Sequence, residues 1–321
     1  MKATITTLVV AASCRAIQAG YFDDLKTSRQ VSNPLVEWQH FGPGMSGYID
    51  MFWIHDTDPD VMFMSLDMGN SHGTWDHGKT WKTIKDCDGT GNERSVVRYV
   101  EFSRQNPDFG LLMAKDGIYS TSNRGRDWNW LTYSEKHSVM TVDPQNDNVW
   151  YIGAGQHWMI KFSHFNKDGL IYTGNQNHSR GYILKSVDRG RSWSKIRSIF
   201  PSNSDFSKII VDPRDSSIVY ASCQYGIYRS HDAGINWAKV AGHGLPHHQP
   251  RDMDSYYDPS TGEFLLYMLE VTHYSPNGTS IDTSGGVYRS ADGGENWDDI
   301  TGNLAIDLNQ INAWIYRDRY Y

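Results

Sequence analysis

The chain has 321 residues and a formal net charge of −7, and aromatic residues make up 13% of it, with 12 Trp and 19 Tyr. The acidic balance argues against a nucleic-acid binder, which needs a basic face, and the sequence holds no apolar run long enough to cross a membrane as a helix. The length admits one large all-β domain, and the aromatic content suits strands.

Residues 1–19 read as a secretory leader: Lys2 supplies the positive end, residues 5–12 the apolar run, and Ala19 a cleavage point. The protein is therefore expected outside the cell or in the periplasm. Residues 20–46 form an N-terminal segment in which Val36-Glu37-Trp38-Gln39-His40 reads as a strand that closes a ring. Cys14 lies in the leader. Cys87 and Cys223 sit in different repeats and have no metal-ligand spacing, so both are expected free and buried. Asn177-His178-Ser179 and Asn277-Gly278-Thr279 fit the glycosylation pattern.

From residue 47 to residue 321 the chain is organised by a repeated phrase, Ser/Thr-x-Asp-x-Gly-x-x-Trp. It starts at Thr74, Thr121, Ser186, Ser230 and Ser290, and ends at Trp81, Trp128, Trp193, Trp237 and Trp297. Asn123 stands for the Asp in the second copy. The Asp or Asn side chain can accept backbone N–H bonds and close a tight turn. The Gly permits positive φ, and the Trp brings a large apolar surface to the next strand. A second repeat runs in step, with turns expected at Asp58-Pro59, Asn106-Pro107, Asp143-Pro144, Asp212-Pro213 and Asp258-Pro259. Each unit then holds four strands, the make-up of a propeller blade. The blades are expected over 47–84, 95–131, 137–196, 206–240 and 252–300, with the first strand of a sixth at 310–318. An unpaired strand is an aggregation hazard, so the sequence reads as part of a six- or seven-bladed ring interrupted at its C-terminal end.

The phrase resembles the Asp-box of sialidases, sortilin-type receptors and xyloglucan-degrading glycoside hydrolases, which implies an all-β β-propeller. Trp38, Gly42-Pro43-Gly44-Met45-Ser46-Gly47, Asp58-Pro59 and Ser65-Leu66-Asp67-Met68-Gly69 together resemble the opening of the xyloglucan-degrading hydrolases. That resemblance implies that Asp67 is a catalytic carboxylate, with the second carboxylate in another propeller. The sequence departs from the family pattern where Pro43, Met45 and Ser46 interrupt the glycine run and where Gly69-Asn70 replaces a pair of glycines. The bland reading of Asp67 is a carboxylate ordering its own turn.

The 13 histidines offer a second chemistry. His137 at the start of blade three, His157 and Arg180 in the long blade-three insertion join Asp67 as catalytic candidates. His72, Trp158, Tyr172, His248, Arg251 and His273 are candidates for binding substrate. A glycoside hydrolase needs two carboxyls flanking the bond. A lyase acting beside a uronate carboxylate needs a base, an acid and a cation to neutralise that carboxylate. Three readings follow: a hydrolase acting on a polysaccharide or oligosaccharide in the central funnel, a polysaccharide lyase, and a propeller that binds a glycan or a protein without cleaving it. Neither His247-His248 nor His157 with His164 has a diagnostic metal spacing, and neither a metal nor a cofactor is expected.

Overall fold

The computed structural model describes residues 49–66, 71–84, 97–114, 117–133, 137–154, 181–196, 199–201, 204–223, 225–246, 248, 250–270, 273–274, 281–283 and 285–302. The expected leader, the strand at 36–40 and the sixth-blade strand at 310–318 lie outside them.

The fold is an all-β propeller of five four-stranded blades. Blade one is β1 (Ile49–His55), β2 (Asp58–Leu66), β3 (His72–Thr74) and β4 (Lys82–Thr83), and blade two is β5 (Val97–Phe102), β6 (Gly110–Ala114), β7 (Gly117–Thr121) and β8 (Asn129–Thr132). Blade three is β9 (His137–Asp143), β10 (Asn146–Ala154), β11 (Ile183–Ser186) and β12 (Ser194–Lys195). Blade four is β13 (Phe206–Val211), β14 (Val219–Cys223), β15 (Gly226–Ser230) and β16 (Ala238–Lys239). Blade five begins with β17 (Pro250–Asp258) and β18 (Glu263–Glu270), carries a small hairpin of β19 (His273–Tyr274) and β20 (Ile281–Thr283), and ends with β21 (Gly286–Ser290) and β22 (Asp298–Asp299). Within each blade successive strands pair antiparallel. The first strands stand side by side: β1 packs on β5, β5 on β9, β9 on β13 and β13 on β17.

The five repeated phrases form one turn. In the fourth copy the Ser230 hydroxyl donates to Asp232 Oδ1 at 2.8 Å and accepts the Gly234 N–H at 2.9 Å, while Asp232 Oδ1 accepts the Asn236 N–H at 2.7 Å. The same three bonds recur around Thr74 and Asp76, Thr121 and Asn123, Ser186 and Asp188, and Ser290 and Asp292. A further bond from the Thr80 hydroxyl to Asp76 Oδ2 contributes most to holding the Asp76 carboxyl down at about 2, with the Thr80 N–H and Thr74 hydroxyl adding to it. The expected positive φ is found at each phrase glycine, and the residue before it is left-handed as well: His77, Arg124, Arg189 and Ala233 have φ of 61°, 57°, 59° and 56°, and Gly293 takes that place in the fifth copy. The strain is held in place by hydrogen bonds. The Ala233 N–H donates to Ser217 O at 2.8 Å, and Ala233 O accepts Lys185 Nζ at 2.8 Å and the Tyr151 hydroxyl at 3.0 Å from blade three. A left-handed non-glycine residue costs about 1 kcal/mol or more. Ala233→Gly, which copies the fifth phrase, is therefore expected to raise the urea midpoint by up to about 1 kcal/mol of stability, the looser unfolded chain offsetting part of the gain.

One expected turn is shifted. Asp58 pairs with His55, so Asp58-Pro59 opens β2 instead of forming the bend. The Thr57 N–H donates to His55 Nδ1 at 3.2 Å and closes the turn one step earlier.

The core is four sheet-to-sheet interfaces. Phe63, Val100, Phe102 and Leu112 fill the space between blades one and two, and Leu111, Met113, Met140 and Trp150 that between two and three. Tyr151, Phe206, Val219 and Trp237 lie between three and four, and Tyr220, Phe264, Met268 and Trp297 between four and five. Each phrase Trp from the second onward packs against the preceding blade. Cys223 is buried and free, as expected, and burial pushes its thiol up to about 11. Side chains staple neighbouring blades along the turn edge: His55 Nε2 donates to Pro107 O at 2.8 Å, Gln105 Nε2 to Gln145 O, and Gln145 Nε2 to Pro213 O at 2.8 Å.

Candidate functional site

Strand direction gives the propeller two distinct faces. Because each blade runs up, down, up and down, the first-to-second turn and the repeated phrase leave from one end. The second-to-third connection and the passage to the next blade leave from the other. The ends of β2, β10 and β18 therefore lie on the face opposite the five repeated turns.

Asp67 follows directly on β2 and lies outside the described residues, as do His157, Trp158, Tyr172 and Arg180 between β10 and β11. Strand direction gathers the described candidates at the same end: His137 opens β9 opposite Ala154, His72 opens β3, Arg251 lies at the start of β17, and His273 opens β19. His72 is only 8% exposed, so its ring is enclosed by the blade. His248 is half-buried between β16 and β17 with φ of 57°, and its ring fits closely over Gly242, where a Cβ would come within 2.8 Å of Nδ1.

A second group of residues was not singled out by the sequence. Tyr99 and Glu101 of β5, Lys208 of β13 and Asp252 and Asp254 of β17 influence one another electrostatically although they belong to blades two, four and five. Lys208 thus acts across blade three, which places this group around the propeller axis. Lys208 Nζ lies 3.7 Å from Asp254 Oδ1. The Tyr99 hydroxyl, followed by the Asp254, Glu101 and Asp252 carboxyls, holds the Lys208 ammonium above its ordinary range against the cost of burial. Burial lifts the Tyr99 hydroxyl to about 12. It lifts the Glu101 carboxyl to about 8; Lys208 and Arg104 pull it down, and Asp56 and Asp254 push it further up. Glu101 keeps some solvent contact, yet inner strands wall it, and lost hydration raises a carboxyl in such a place. Only alternation along the first strand of each blade could have pointed to these residues.

No protein-family model matches the chain. It is 24% identical over 253 residues to a xyloglucanase of Paenibacillus sp, covering 70% of this chain and 22% of that protein. It is 28% identical over 225 residues to a xyloglucanase of Hypocrea jecorina, covering 66% of this chain and 23% of that protein. The chain thus spans under a quarter of the length of these curated relatives. Among solved structures, the crystal structure of an ancestral GH74 enzyme superposes with a TM-score of 0.60 at 19% identity, covering 83% of this chain and 32% of that one. At that identity the structural likeness bears on the fold alone.

Proposed function

We propose that the protein is a propeller of a secreted glycoside hydrolase that cleaves a xyloglucan-type polysaccharide, with Asp67 as one of its catalytic carboxylates. The observation that carries this reading is the match of most of the chain to two xyloglucanases. Asp67 is assigned this role by the resemblance of Ser65-Leu66-Asp67-Met68-Gly69 to the opening of the xyloglucan-degrading hydrolases. Glycoside cleavage needs one carboxyl to protonate the leaving oxygen and another to activate water or attack the sugar. Asp67 accounts for one of them. His137, His157 and Arg180 are the further catalytic candidates. His72, Trp158, Tyr172, His248, Arg251 and His273 are the residues proposed to bind the sugar rings, through aromatic stacking and hydrogen bonds.

Xyloglucan incubated with the protein is expected to release reducing ends without the absorbance of an unsaturated uronate. Asp67→Asn should lower kcat by about 10²- to 10⁴-fold with little change in KM, the signature of a group that acts in the transition state. Undiminished turnover in Asp67→Asn would remove Asp67 from the mechanism. Growth of the uronate absorbance would replace the hydrolase reading with a lyase centred on His137, His157 and Arg180. Saturable glycan binding with neither signal would make the protein a binding propeller.

A further inference from the structure

The repeats allow one position on the outermost strand to be compared across all five blades. It is the residue that pairs with the side chain two before the Ser or Thr that opens the phrase. In blades one, three, four and five it is Thr83, Lys195, Lys239 and Asp299, paired with His72, Leu184, Tyr228 and Tyr288. All four are exposed. In blade two the place is taken by Trp130, which pairs with Tyr119 and is 58% exposed. Polar residues serve in the other four blades, so the fold does not require a large apolar ring there. We propose that Trp130, together with Tyr133, is a stacking platform for a neutral β-linked polysaccharide chain.

Two features build the platform. The Trp130 ring lies over Gly117, the first residue of β7. A Cβ on Gly117 would come within 2.8 Å of Trp130 Nε1 and 2.5 Å of Thr132 O, so glycine leaves the room that seats the ring. The second feature is a bulge in β8. Tyr119 pairs with Trp130 and Ile118 with Thr132, which makes Leu131 the extra residue. Leu131 turns to the side of Ile118, into the core between blades two and three. Tyr133 then falls on the side of Trp130, where it is 62% exposed; without the bulge the two would point to opposite sides. Three residues of extended chain set them about 10 Å apart, the length of a disaccharide in an extended β-linked chain. Rigid aromatic rings at this spacing offer apolar surface to the C–H face of every second sugar, at little cost in side-chain entropy. The surroundings select a neutral chain. Arg126 is held over the Trp75 ring at 5.4 Å, and Asp127 accepts from Asn123 Nδ2 at 2.7 Å, so the charges that precede β8 are engaged elsewhere. They also argue against a protein partner, whose interface needs a continuous apolar centre. Asn129 and Thr132 beside the rings are polar, and among the described residues no exposed large aliphatic side chain lies in blade two.

The inference rests on the proposed function only for the choice of a sugar as ligand. Cellohexaose is titrated into the full chain and followed by NMR at the Trp130 indole N–H and at the backbone N–H groups of residues 129–133. These resonances are expected to shift saturably at millimolar cellohexaose or below. Trp130→Lys, which copies blades three and four, should keep the wild-type thermal midpoint while the backbone resonances report affinity about 10-fold weaker or more, and Tyr133→Ala should weaken it likewise. Hexagalacturonate, the charged comparator, should bind about 10-fold more weakly than cellohexaose if the platform holds the chain by stacking alone. Resonances that do not respond to cellohexaose, unchanged affinity in both variants, or a preference for hexagalacturonate would overturn the site. A Trp130 signal that responds to protein concentration and not to sugar would make the platform a protein contact, and would overturn it too. Reducing-end release from xyloglucan is measured in parallel. Saturable shifts at residues 129–133 without hydrolysis would count against the hydrolase and leave this site standing, and hydrolysis without those shifts would do the opposite.

Discussion

Trp237→Ala is expected to destabilise the propeller by about 3–5 kcal/mol, the range for truncating a buried aromatic residue, and Trp81→Ala by less than about 1.5 kcal/mol. The two residues end the same repeated phrase and make the same bond to its glycine: Trp237 Nε1 donates to Gly234 O at 2.8 Å and Trp81 Nε1 to Gly78 O at 3.1 Å. They differ in what surrounds them. Trp237 is 7% exposed and sits in the interface of blades three and four, its ring 5.3 Å from that of Phe200. Trp81 is only half-buried, so truncating it uncovers less apolar surface. If the tryptophans stabilise by packing one blade on the one before it, the costs must separate as stated. If they act by closing the turn, the costs must be alike. Urea denaturation of both variants decides, and a difference below about 1 kcal/mol would reject the packing account. A domain is stable by about 5–15 kcal/mol, so Trp237→Ala should also lower the temperature at which the protein stays folded.

This contrast bears on how much of the molecule was legible in its sequence. The repeated turn was, because its bonds run between residues two and four apart and need nothing beyond the phrase, as Ser230, Asp232 and Gly234 show. The four-stranded unit was legible too, since the turns punctuate it. The left-handed residue ahead of each phrase glycine was not. His77, Arg124, Arg189 and Ala233 share no side-chain chemistry, and their conformation is fixed by a backbone bond to the neighbouring turn of the same blade, such as Arg189 N–H to Asn148 O at 3.0 Å. The shift of the first turn to Asp56-Thr57 came from His55, whose ring nitrogen substitutes for a turn-closing carboxylate. The axial group was hidden for a different reason. Glu101, Lys208 and Asp254 lie far apart in the chain, and each reads alone as an ordinary charged residue on a half-buried strand. Only the arrangement of the blades brings them under one another's influence. For the catalytic candidates the sequence supplied residue types, and the structure describes only the backbone of His137, at the start of β9. Asp67, His157 and Arg180 themselves lie outside the described residues.

The axial position of Glu101 also predicts how stability depends on pH. The carboxyl titrates near 4.5 when unfolded and near 8 in the native protein, because burial outweighs the pull of Lys208 and Arg104, while Asp56 and Asp254 add to it. The native state therefore binds this proton more tightly than the unfolded chain does. By linkage the stabilisation is fully present below about 4.5 and is lost as pH rises through about 8. A shift of this size would be worth several kcal/mol for a wholly enclosed group, and the solvent that Glu101 retains reduces the expectation to about 1–2 kcal/mol. The phrase carboxyls work in a separate window. Asp76, Asp188 and Asp232 are held below their ordinary range by hydrogen bonds from the residues that close their turns, so their stabilisation is present above about 3.8 and disappears only as pH falls below it. Between pH 5 and pH 8.5 the thermal midpoint of the wild type should fall relative to that of Glu101→Gln, and above pH 8 the variant should be the more stable. Comparing the two proteins at each pH cancels the histidines and every other shared group. Parallel curves across that interval would mean that Glu101 ionises freely in the folded protein, and the charge balance at the propeller axis would have to be redrawn with Glu101 as an anion facing Lys208.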